Sequence, residues 1–298
     1  MTQTYPPERH LLRDLDITTE QVTARRSVSL APVDDAVRNP AGTAGIGFVA
    51  AVVDVNCATV ALVAGQPDWT ATADLTLYGL RGLTEGPAIV DSRLVRAGTG
   101  IVVVGVDVYD GHGIGSLDDL LTGGLGDGDQ LTDRRPLELA TAGLVTFSRI
   151  PASASRSSST FSPGSLIGQR RRMEPAAPRP EGTLLERVGL RVLHGDGGVV
   201  ELDNHDYVQN SFGAINGGAL GVLFQGAAEA ALPGYSGADL QIHYLAQIKE
   251  GGTRTTVRVL RKGDEHAVCS VSAVEIGRPD RVIALATVTL LSYPSPRR

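Results

Sequence analysis

Large aromatic rings are scarce in this sequence, with 1 Trp, 5 Phe and 7 Tyr among 298 residues. Its cores must be filled by small and β-branched side chains, and Ala, Gly and Val are plentiful. Cysteine is nearly absent. Cys57 and Cys269 cannot make a disulfide framework, so a reducing, cytoplasmic setting is expected. Nor is there a surplus of basic charge: Lys and Arg number 27 against 33 Asp and Glu, and a net charge of −6 gives no reason to expect a nucleic-acid partner. The histidines (His10, His112, His194, His205, His243 and His266) show no ligand spacing, and no Cys/His cluster exists, so neither a metal nor another cofactor is expected. The stretch 1–16 is polar and charged, without the apolar region of a signal peptide.

One apolar run, Gly42 to Ala64, is long enough to cross a membrane. Asp54 and Asn56 sit near its centre, however, and an Asp there costs about 2.5–3.5 kcal/mol on insertion scales. A buried helix of a water-soluble protein is the expectation, with no membrane partner. Apolar and charged fractions of 42% and 20% belong to a globular chain, and the length suggests roughly two domains.

A second apolar stretch organises the rest. From Gly217 to Leu232 only Gln225 and Glu229 are polar, which predicts a helix buried on nearly all sides. Gly217 and Gly218 at its start disfavour helix by up to about 1 kcal/mol each. They make sense where a backbone N–H must be approached closely by a ligand. The stretch also occurs twice. Subtracting 171 places Asn210 on Asn39, Gly213 on Gly42, Gly218 on Gly47 and Gln225 on Asp54. An offset of 165 then places Asp239-Leu240 on Asp74-Leu75, Arg258 on Arg93 and Arg261 on Arg96. Matches held without a gap indicate an internal duplication, each copy being a domain.

The pattern Asn210, Gly213, Asn216-Gly217-Gly218 followed by an apolar helix resembles the signature of hotdog-fold acyl-CoA thioesterases of the phenylacetate-pathway type. There a His stands where this chain has Asn216, and a carboxylate where it has Gln225; the missing carboxylate is Asp54, in the first copy. The resemblance implies an α+β fold: two hotdog domains in tandem, each a long helix wrapped by an antiparallel sheet, paired within one chain. Periodicity supports the element order, with alternating strands at 26–30, 74–78, 88–95, 101–109 and 140–147, repeated at 198–202, 239–244, 253–260, 267–276 and 282–291. The expected boundaries are 1–150 and 183–298, joined by a linker over 151–182. Gly111 to Glu138, rich in Gly and Asp, is expected as a mobile surface loop inserted in the first domain, a substrate lid being the weaker option. Arg170-Arg171-Arg172 reads as solvated linker charge, or as a contact with coenzyme A phosphates.

Sites in the family form between helices of opposite partners, which implies that Asp54 faces Asn210, Asn216 and the Gly217 N–H. The family also has a Ser or Thr at the position of Thr72. Catalysis is therefore expected from Asp54, Thr72, Gly217 and Asn210, with Asn216, Gly218, Gln225, Arg96 and Arg261 on the substrate. Asn210 as a plain turn residue and Arg96 and Arg261 as exposed hairpin charges are the competing readings, and Glu229 is read as a solvated helix-end residue. The second site lacks a base, with Gln225 for Asp54, Gly237 for Thr72 and Ile46 for Gly217. Hydrolysis of an acyl-CoA thioester is the implied function, coenzyme A entering only with the substrate, in a chain expected to form homodimers. The alternative is a non-catalytic acyl-CoA or acyl-carrier binding protein.

Overall fold

The computed structural model describes residues 5–152, 162–176 and 178–293. The first half contributes β1 (Thr18–Thr23), β2 (Arg26–Ala31), a first long helix (Ile46–Gly65), β3 (Trp69–Gly79), β4 (Ala88–Ala97), β5 (Ile101–Asp110) and β6 (Glu138–Ile150). After β7 (Arg170–Arg172), the second half repeats the series with β8 (Arg191–His194), β9 (Val199–Asp203), a second long helix (Gly217–Ala231), β10 (Tyr235–Tyr244), β11 (Gly252–Lys262), β12 (His266–Glu275) and β13 (Arg278–Ser292). Strands β1, β7 and β8 are additional to the sequence expectation. They are short, and β7 and β8 lie wholly exposed, so the alternation that betrays a strand is missing.

One antiparallel sheet runs through both halves in the order β7-β1-β2-β4-β5-β6-β3-β10-β13-β12-β11-β9-β8. The halves meet where β3 pairs with β10, Leu77 opposite Leu240 and Asp74 opposite His243. About that junction the order repeats in mirror sequence, as two related domains clasped edge to edge require. Inward positions of the strands, such as Val102, Val104 and Phe147 or Val271, Ala286 and Val288, close over the two helices. The first helix has the length and composition of a membrane span, yet 83% of that window is buried inside the protein.

The helices lie in direct contact. A Cβ at Gly218 would fall 2.6 Å from Ala51 Cα, and one at Gly47 would fall 2.7 Å from Val222 Cα. Side chains there would push the helices apart, so these glycines set the spacing between halves. The chain start reinforces the clasp: Leu11 N–H donates to Tyr207 O at 2.9 Å, and the Tyr207 hydroxyl to Asp14 Oδ2 at 2.7 Å.

Two expectations are corrected. The segment 111–138 is neither a mobile loop nor a lid: Leu117, Leu120, Leu121, Leu125 and Leu131 pack with Val28, Leu30, Ile89 and Tyr109 into a second core on the outer face of the first half's sheet. Below it the fully buried Arg26 guanidinium forks onto Asp91 at 2.8 and 2.7 Å and donates to Asp129 O at 2.8 Å. A buried ion pair needs its remaining donors satisfied, and the segment supplies the carbonyls. The arginine run is not simple linker charge either. As β7 it pairs with the edge of β1, Arg171 opposite Thr19.

Candidate active site

Asp54 lies in the middle of the first helix, where the apolar sequence leaves no cation beside it, and is 6% exposed. Thr72 Oγ1 donates to Asp54 Oδ1 at 2.7 Å. Thr72 is aimed there by β3, whose register with β6 slips between Thr72 and Asp74, as that of β10 with β13 slips between Gly237 and Asp239. Such a bulge re-aims a side chain. Across the helix pair, Asp54 Oδ2 lies 2.9 Å from the place a Cβ would take on Gly217, and the Tyr244 hydroxyl 3.4 Å from it. Only glycine fits.

Burial lifts the Asp54 pKa to about 6, against the opposing hydrogen bonds from Thr72 and the Gly218 N–H. Asn216 caps the second helix, its side chain accepting from Gly218 N–H at 2.8 Å. Among the described residues the Gly217 N–H has no acceptor, and it stands at the positive end of that helix. The Tyr244 hydroxyl donates to Gly217 O at 3.1 Å, and burial together with the Asp54 charge raises its pKa. The pKa of Tyr5, whose hydroxyl donates to Gln209 O at 3.5 Å, is raised by the same two causes.

These groups open on a cavity of about 480 Å³ between the halves, whose wall includes Asp54, Thr72, Gly217, Tyr244, Phe212 and Arg171. The Trp69 and Phe212 rings meet edge to face across the divide, centroids 5.9 Å apart. Tyr5, Trp69, Phe212 and Tyr244 are not among the sequence candidates. Three of them left a trace, since the repeat puts Gly79 at the position of Tyr244, Gly234 at that of Trp69 and Ala41 at that of Phe212.

The other candidates are dispersed. Asn210 borders the cavity, but its Oδ1 accepts from Phe212 and Ala214 N–H at 2.9 and 3.1 Å, so it shapes the turn. Gly218 serves helix contact. Arg96 and Arg261 are exposed near hairpin ends and border neither this cavity nor the second. Gln225 stands at the second cavity, of about 360 Å³, where its Oε1 accepts the Gly47 N–H at 2.7 Å. Gly47 is the repeat counterpart of Gly218, so Gln225 is tied to the start of the facing helix. A Cβ on Gly237 would meet Ile46 Cγ2 at 2.8 Å, so Ile46 fills the room beside the Thr72 counterpart. Glu229 is not a solvated helix end: it accepts from Gly237 N–H at 3.0 Å and Gln225 Nε2 at 3.1 Å, and burial raises its pKa to about 7. Among the described residues no group of three His, Cys, Asp or Glu could hold a metal.

A helix in each half wrapped by one continuous antiparallel sheet, with a buried acid facing a glycine-rich helix start, defines a tandem hotdog protein. Residues 208–291 match the family model described as acyl-CoA thioesterase N-terminal domain. No curated protein matches the sequence. Among solved structures, the tesB protein of Mycobacterium avium subs paratuberculosis is 12% identical with a TM-score of 0.54, covering 95% of this chain and 98% of its own. An acyl-CoA thioesterase II of Mycobacterium marinum is 15% identical with a TM-score of 0.51, covering 97% and 99%. A Lactobacillus plantarum protein assigned as an oleoyl thioesterase is 8% identical with a TM-score of 0.57, covering 97% and 100%. The chain thus has the tandem hotdog fold throughout, and residues 208–291 of its second half are similar to the acyl-CoA thioesterase domain model.

Proposed function

We propose that this protein hydrolyses an acyl-CoA thioester at the Asp54 cavity. The observation that carries this reading is the approach of a buried carboxylate, without a cation beside it, to Gly217, its Oδ2 lying 2.9 Å from where a Cβ would stand, with Thr72 bonded to the same carboxylate. Water held by Asp54 and Thr72 attacks the thioester carbon while Asp54 takes its proton. The carbonyl oxygen becomes an oxyanion against the Gly217 N–H, reinforced by the helix dipole. The C–S bond then breaks, and the proton on Asp54 passes to the departing thiolate. General-base help is typically worth about 10²–10⁴ in rate and one oxyanion donor about 10²–10³.

Thiol release from a panel of acyl-CoAs, followed with a thiol reagent, is the test. Wild-type protein is expected to turn over, and Asp54→Asn to lose at least a hundredfold in kcat with its fold intact. Wild-type turnover in Asp54→Asn would remove Asp54 from the chemistry. Saturable binding with no thiol released from any member of the panel would favour the binding-protein reading, which the Asn at the family's His position suits.

A further inference from the structure

The linker holds a cation that the mechanism above does not use. Three consecutive arginines on β7 are divided by the strand's alternation. Arg170 bonds to Glu20 and Asp118 at 2.9 and 2.8 Å, and Arg172 to Asp16 at 2.8 and 2.9 Å. Arg171 and Arg172 both border the Asp54 cavity, but only Arg172 of the two is tied to a carboxylate. The Arg171 guanidinium has no hydrogen-bonding or carboxylate partner among the described residues, and partial burial of this otherwise exposed side chain, with no anion opposing it, lowers its pKa. Its ladder partner Thr19 and the nearby Thr59 also border the cavity, but both hydroxyls are engaged, Thr19 with Ser29 at 2.7 Å and Thr59 with Ser27 at 3.0 Å. Among these described groups the Arg171 fork is the one left with free donors.

An arginine left without an anion beside a ligand cavity, while both neighbours in sequence are ion-paired, is placed to take the anion from the ligand. We infer that Arg171 binds a negatively charged oxygen group of the thioester substrate, making the segment between the two domains part of the substrate site. The group is a phosphate of coenzyme A or a carboxylate on the acyl chain; both present the oxygens that a guanidinium fork recognises. The inference rests on reading the cavity as a thioester site. Arg171 acts in binding, away from the reacting atoms, so its loss should appear in KM and leave kcat in place.

The experiment compares wild type, Arg171→Ala and Arg171→Lys on four thioesters: a neutral acyl group and an ω-carboxylated one, each on coenzyme A and on N-acetylcysteamine, which has no phosphate. Arg171→Ala should raise KM about tenfold for the substrates bearing the recognised anion, and Arg171→Lys should recover part of it. A rise for both coenzyme A esters, with the neutral N-acetylcysteamine ester unaffected, assigns the phosphate. A rise confined to the ω-carboxylated pair assigns the carboxylate. The same change on all four esters, or none on any, overturns the inference. Should wild type release thiol from none of them, hydrolysis is the failed reading. Calorimetric binding of the same compounds then decides Arg171 separately: affinity lost only with the anion supports it, and equal affinity for both proteins overturns it.

Discussion

Asp54 is a carboxylate that the fold prefers protonated and the chemistry needs ionised. Its pKa rises from 3.8 to about 6 on folding. A raised folded pKa means that ionisation favours the unfolded chain. The penalty is absent below the unfolded pKa, grows through the interval and is full above about 6, where it is on the order of 3 kcal/mol. Asp54→Asn removes it, so that variant should be more stable than wild type at pH 8, by roughly 1–3 kcal/mol in denaturant unfolding, and nearly equal to it at pH 4. An equal shift at both pH values would deny that ionisation is the cause. The same titration governs rate: the base form is the carboxylate, so kcat/KM should be level above pH 6 and fall about tenfold per unit below it.

At the scale of elements, the two long helices touch through glycine, and the paired glycines of the motif divide their work. Gly217 admits the carboxylate, whereas Gly218 meets Ala51 of the other helix. Gly218→Ala would drive a methyl group to 2.6 Å from Ala51 Cα. Backbone cannot yield as a flexible side chain can, so overpacking should lower stability by about 1–3 kcal/mol. Urea unfolding checks this, and an unchanged midpoint would mean that the helices have slack. The sequence presented both glycines as places for ligand approach. Spacing cannot separate a glycine that faces a ligand from one that faces a neighbouring helix, because both demand the same missing side chain.

Over the whole molecule, each half completes the other: the acid and Thr72 come from the first, while Gly217, Asn216 and Tyr244 come from the second. The insertion at 111–138 belongs to this scale. Replacing it with a short turn would expose Val28, Leu30, Ile89 and Tyr109 and strip carbonyl partners from buried Arg26. The shortened protein should melt lower and aggregate more readily, with KM unchanged in the soluble fraction. A changed KM with an unchanged melting temperature would instead restore the lid.

The sequence by itself determined the duplication, the two buried helices and most of the strands, because periodicity and a constant offset carry that information, while the pairing of Asp54 with Thr72 was implied by the family resemblance. Tertiary structure decided the rest. Whether Gln225 bonds the Gly47 N–H, whether Tyr5 and Tyr244 line the acid's cavity, and which of the arginines there is left without a carboxylate all depend on contacts between residues far apart in the chain. Composition and spacing describe what each segment can form, and only the packed arrangement fixes which groups are left with an unused donor or an unshared charge.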